Sequence, residues 1–142
     1  MQNPSLLDLD RFIDAQEPVY PQVLAELRRG RKTSHWMWFI FPQLRGLGSS
    51  ATANHFGISS RAEAEAYLAH PVLGARILEC TRLVNAIEGR TVEQVFGYPD
   101  NLKFRSSMTL FATVSKGHTE FQSALEKYFG GEPDGRTLAL LK

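Results

Sequence analysis

The chain has 142 residues, of which 43% are hydrophobic, 11% aromatic and 22% charged, and its 16 basic and 15 acidic side chains give a formal net charge of +1. This length suits a single domain, the apolar content argues against intrinsic disorder, and the balanced charge argues against a protein that grips nucleic acid or a membrane by global electrostatics. A lone cysteine, Cys80, excludes an internal disulfide and any CxxC metal or redox motif.

Leu9, Phe12 and Ile13 recur at helical spacing and predict a short first helix ending near Gln16, with Asp8 or Asp10 as its cap. Pro21 suits the first turn of a second helix, with Val23, Leu24 and Leu27 on one face and Gly30 as its stop. Arg28 and Arg29 then sit at the negative end of its dipole. The apolar run over residues 36–41 has neither alternation nor a 3.6 period. With no second strand to pair with, it is expected to be a short buried helix or an irregular segment.

Residues 51–56 predict one or two helical turns before Gly57. Ser60 followed by Glu63 forms a capping-box pattern for a helix over 61–70, where His70 can meet the last carbonyls. Pro71 opens the longest helix, with Val72, Ala75, Leu78, Leu83 and Ile87 as its core stripe and Gly89 as its stop. Thr91 with Gln94 repeats the capping pattern for a short helix ending at Gly97. Pro99 and Asp100 start another, reaching to about Val114. Thr119 with Gln122 caps an amphipathic helix stopped by Gly130 and Gly131, and residues 137–141 make a last helix or turn. The expected architecture over 1–142 is therefore all-α, a single-domain orthogonal bundle of about seven short helices. There is no basic apolar leader and no long apolar span, so a cytoplasmic protein without membrane contact is expected.

Charge is less even locally than globally. Residues 1–25 carry four acids against Arg11, net −3, whereas residues 26–45 carry Arg28, Arg29, Arg31, Lys32 and Arg45 against Glu26, net +4. Within that basic stretch, Lys32, Ser34 and His35 immediately precede Trp36 and Trp38, a composition suited to an anionic aromatic ligand. In that reading Lys32, Arg45 and Lys103 neutralise the anion, Ser34 donates to it, and Trp36 or Trp38 stacks on a ring. His35 and Asp100 are the candidates for proton transfer, because imidazole changes charge near neutral pH. A second polar stripe, Asp100, Lys103 and Ser107 at helical spacing with Ser106 beside it, completes the ligand-binding set. The bland alternative gives the tryptophans to the core, the hydroxyls to caps, and the Asp100–Lys103 pair to solvent. No zinc signature, serine-hydrolase elbow or phosphate loop is present, so no metal and no cofactor are expected.

The strings DLDRFIDAQ, GRKTSHWMWFIFPQLRGLG, AEAYLAHPVLGARILEC and FGYPDNLKFRSSMTLF together span most of the chain. They resemble the domain-of-unknown-function family 1810, a bacterial and fungal group of single-domain proteins. The resemblance implies a mainly helical fold and no established activity. The calpastatin-like label attached to some members finds no inhibitor repeat in this sequence. Its characteristic polar positions fall here at Arg11, Gln16, Lys32, Ser34, His35, Trp36, Trp38, Gln43, His70, Asp100, Lys103, Ser106 and Ser107. Two functions are expected to compete: an enzyme or sensor for a small anion such as a nucleotide or an ADP-ribose-like molecule, and a helical protein-interaction module of unknown partner. Nucleic acid ranks third.

Overall fold

Pro and Gly divide this chain into short helical segments, and the computed structural model, which describes residues 8–141, contains ten of them. They are α1 (Asp10–Gln16), α2 (Tyr20–Arg28), α3 (Met37–Ile40), α4 (Ala51–Phe56), α5 (Arg61–Ala69), α6 (Pro71–Asn85), α7 (Val92–Phe96), α8 (Asp100–Val114), α9 (Glu120–Phe129) and α10 (Gly135–Leu140). The fold is all-α, as expected. The count exceeds seven because α3, α4, α7 and α10 are helices of four to six residues. Among the described residues the β structure is confined to one isolated parallel bridge between Leu44 and Ile58.

The capping signals act locally, though not always in the expected way. Thr91 and Gln94 form a complete capping box at α7, each side chain bonding the other's backbone N–H. At α5 only half forms. Ser60 accepts from the Glu63 N–H, while the Glu63 carboxylate turns to Arg11 and to the Ser59 N–H instead. Thr119 makes no side-chain cap at α9, and neither Asp8 nor Asp10 caps α1, whose N-cap is Leu9. His70 meets the carbonyls of Ala66 and Tyr67 at the end of α5 through its backbone N–H, while its side chain turns to the next helix. Its Nδ1 accepts from the N–H groups of Val72 and Leu73 at 3.1 and 3.3 Å and so caps α6.

The core stripe of α6 is rotated from the expected one. Leu73, Gly74, Ile77, Cys80, Thr81 and Val84 face inward, while Val72 and Ala75 are exposed. Gly74 explains the rotation. A Cβ there would lie 2.1 Å from the Leu68 carbonyl oxygen, so the face that packs against α5 is the one that lacks a side chain.

Helix α8 packs against α3, α5, α7, α9 and α10, and nine of its fifteen residues are buried. Phe104 and Phe111, two turns apart on it, anchor two aromatic clusters. Phe111 lies 5.4 Å from Tyr67, which meets Phe12 edge-on at 5.1 Å. Phe104 stacks on Phe96 at 4.6 Å and meets Phe41 edge-on at 5.0 Å, and Phe41 in turn adjoins Trp36. Geometry of this kind adds about 0.5–1.5 kcal/mol per pair beyond the area buried. The second cluster fixes the segment containing Lys32 and Trp38 beside the start of α8, and the candidate site lies at that junction.

Candidate functional site

Val23, Glu26 and Leu27 share the buried face of α2. Glu26 is therefore a carboxylate carried into the core, which demands hydrogen-bonded partners. The chain supplies them by turning at Gly30, whose φ is +77°, and wrapping residues 31–36 around the carboxylate. Oε1 accepts from the Thr33 N–H at 2.7 Å, the Ser34 N–H at 3.0 Å and the Trp36 indole at 2.9 Å. Oε2 accepts from the Ser34 hydroxyl at 2.5 Å and the Gln22 amide at 2.8 Å. Burial alone would raise the pKa of Glu26. The hydrogen bonds from Ser34, Thr33, Gln22 and Trp36 outweigh it and hold the carboxyl well below the usual range.

Two of the sequence-predicted ligand residues are corrected by this arrangement. Trp36 is fully buried, with its indole N–H on Glu26, so it has no free face for a ligand ring. Ser34 directs both its N–H and its hydroxyl at Glu26 and so is a support of the loop, not a ligand donor.

What the wrapped loop delivers is Lys32. Its N–H bonds the Val95 carbonyl at 2.7 Å, tying the loop to α7. Its Nζ lies 2.8 Å from Asp100 Oδ2 and 5.2 Å from the centre of the Trp36 ring. Lys103 reaches the other oxygen, Oδ1, at 3.2 Å, with its Nζ 5.3 Å from the Trp38 ring centre. One carboxylate thus sits between two ammonium groups, each resting on an indole, and the cluster carries net charge +1. The Lys32 side chain is only 7% exposed, so the pairing is screened far less than a surface ion pair. Asp100 also occupies the first turn of α8, where the helix dipole favours a negative charge.

Two clefts flank this cluster. One, of about 360 Å³, is bounded by Arg31, Lys32, Arg90, Glu93, Gln94, Val95, Phe96 and Gly97. The other, of about 350 Å³, is bounded by Gln43, Leu47, Gly48, Pro99, Leu102, Lys103, Arg105, Ser106, Asp134 and Arg136. They are called the Lys32 cleft and the Lys103 cleft below. Between Gly97 of the first and Pro99 of the second stands Tyr98, 77% exposed.

The remaining predicted residues distribute unevenly. Ser106 lines the Lys103 cleft, its hydroxyl between the Leu102 carbonyl at 3.2 Å and Asp134 Oδ2 at 3.1 Å. Ser107 is buried, and its hydroxyl has no partner among the described residues. Arg45 lies elsewhere, in a third cleft with Ser59, Ser60 and Arg61, donating to the carbonyls of Asn54 and Gly57. His35 is exposed and lines none of these three clefts, and the ion-pair partners of Asp100 are the two lysines, not His35. Arg90, Arg105, Asp134 and Arg136 escaped the sequence reading. Asp134 had a signal, because it accepts from the N–H and the hydroxyl of Thr137 three residues on and caps α10.

Among the described residues there is no group of three or more His, Cys, Asp or Glu arranged to hold a metal, and no helix long and apolar enough to cross a membrane. A family model described as "Protein of unknown function (DUF1810)" matches residues 6–141. Among solved structures, the conserved hypothetical protein Rv1873 from Mycobacterium tuberculosis is similar at 58% identity, with a TM-score of 0.94 over 95% of this chain and 96% of that one. No curated protein matches the sequence.

Proposed function

The chain belongs to the DUF1810 family, whose description states no activity, and from that premise we propose that the Lys103 cleft binds a small anionic ligand with an apolar or aromatic part, a nucleotide or an ADP-ribose-like molecule. The supporting observation is Lys103 itself. It rests over Trp38, shares Asp100 with Lys32, and faces a cleft that also holds Arg105, Arg136 and the Ser106 hydroxyl. Leu47, Pro99 and Leu102 supply an apolar wall to the same cleft. A few convergent polar groups over an apolar wall are what a small-molecule site requires, and the volume falls at the lower end of the range for such sites. Anion recognition in this reading belongs to Lys103 and Arg136, with Trp38 and Asp100 holding Lys103 in place. The role is binding or sensing, because the polar groups lining the cleft are three cations, the Gln43 amide, the Ser106 hydroxyl and an Asp134 carboxylate already taken up by Ser106 and Thr137, and His35 stands apart.

Titration calorimetry with ADP, ADP-ribose and inorganic phosphate tests this. At least one should bind, and Lys103→Met or Arg136→Ala should weaken it by about tenfold or more, the loss of one charge-assisted contact. Absence of binding for all three probes, or unchanged affinity in both variants, refutes the reading. The competing protein-interaction role draws on exposed Tyr98 and Leu102 beside the clefts. It is favoured if Tyr98→Ala and Leu102→Ala abolish a pull-down that Lys103→Met leaves intact.

A further inference from the structure

The Lys32 cleft holds three cations, Arg31, Lys32 and Arg90, against one acid, Glu93. Among the described residues neither Arg31 nor Arg90 has a carboxylate within salt-bridge distance, although Glu93 lines the same space. Arg90 is also positioned. A Cβ on Gly30 would come within 3.2 Å of its Nε and 3.3 Å of its Cδ, so the absence of a side chain there lets Arg90 lie over the end of α2. The bond from the Lys32 N–H to the Val95 carbonyl sets the opposite wall, and buried Val95 and Phe96 close the floor.

We propose that the Lys32 cleft is a second anion site, selective for the phosphate group of a small ligand, and that it is negatively coupled to the Lys103 cleft through Asp100. The coupling follows from the shared carboxylate. An anion on Lys32 competes with Asp100 for that ammonium. Asp100 then pairs more closely with Lys103, which lowers the positive field in the other cleft. Direct repulsion between the two bound anions acts in the same sense. The class of ligand follows from size and charge. A pocket of about 360 Å³ with three cations suits a phosphate ester, while a chain of net charge +1 offers no extended field for a polyanion. The second site stands on its own lining. Only the coupling rests on the function proposed for the Lys103 cleft.

The test is an NMR titration of the full chain with inorganic phosphate at low ionic strength, reading the two clefts separately. The amides of Arg31, Gln94 and Gly97 should shift as one set, and those of Lys103, Ser106 and Arg136 as another. In the Arg31→Ala/Arg90→Ala double variant the first set should lose its response while the second persists. Arg136→Ala should do the reverse. Asp100→Asn should tighten phosphate in both clefts by about fivefold, the low end of common coupling factors, because it removes the competing internal anion. A first set that does not move, or that moves equally in the double variant, overturns the second site. Unchanged affinities in a folded Asp100→Asn protein overturn the coupling. Should only the Lys103 set fail to respond, and fail likewise with ADP and ADP-ribose, the function proposed for that cleft falls while the second site stands. A short single-stranded oligonucleotide that moves the first set at lower concentration than phosphate, with steep salt dependence, overturns the assignment to a small ligand.

Discussion

Glu26 stands between Arg28, Arg29, Arg31 and Lys32 on one side and an acidic segment on the other, and by charge counting it only dilutes a +4 stretch. Its spacing says more. With Val23 three residues before it and Leu27 next to it, it lies on the apolar face of its helix, and a carboxylate there must be met by donors. The sequence made Ser34 and Trp36 conspicuous, but without the path of the loop their conspicuousness could belong equally to a ligand or to Glu26. Glu26→Gln turns an acceptor of two donors into an NH₂ group facing them and should cost about 3 kcal/mol, measured by urea unfolding at pH 7. The sign with pH is fixed by the lowered pKa of the folded carboxyl. Its stabilisation is complete above the ordinary value of 4.5 and is lost as pH falls toward the folded value. The deficit of Glu26→Gln should therefore be constant near neutrality and shrink progressively below about pH 4.5. A deficit that grows in acid would contradict this. Cys80 behaves oppositely, since burial pushes its thiol up to about 12 despite the nearby Tyr20 hydroxyl. In native protein at pH 8 a thiol reagent should react only at the rate of opening, and should react fully once urea is added.

Helix boundaries were legible wherever a residue acts on its own neighbours. Pro71 opens α6, the Thr91–Gln94 pair builds its box, and Gly30 and Gly130 take up positive φ after α2 and α9. Local pattern fails where a tertiary partner takes the residue away. Glu63 leaves its capping role for the Arg11 guanidinium, and the inward face of α6 is set by a contact with α5 that no periodicity encodes. Gly74 makes the second point testable. Gly74→Ala drives a methyl into the Leu68 backbone, which cannot rotate away as a flexible side chain would, so α5 and α6 must separate. The expected loss is about 3 kcal/mol or more in chemical denaturation. Gly117→Ala meets nothing within 4 Å and serves as the control, expected to stay within about 0.5 kcal/mol of the parent. Equal stability of the two variants would show that the α5–α6 contact is looser than described.

At the scale of the molecule, the site and the core meet in one helix. The first turn of α8 carries Asp100 and Lys103, and its next turns carry Phe104 and Phe111, which join the two aromatic clusters. The amides from Phe104 to Phe111 should therefore exchange with solvent only by global opening, whereas α4, which buries none of its residues, can open alone. A ligand that binds only the native state slows just those openings that destroy its site, by a factor of about 1 + [L]/Kd. Saturating the Lys103 cleft should accordingly slow exchange in α8, and also in α10, because Arg136 and Asp134 of that cleft lie at the start of α10. Exchange in α4 should not change, since its opening leaves both clefts intact. Slowing confined to α4, or none anywhere under conditions where calorimetry reports saturation, would mean that the anion sits outside the junction of α8 with the Lys32 loop.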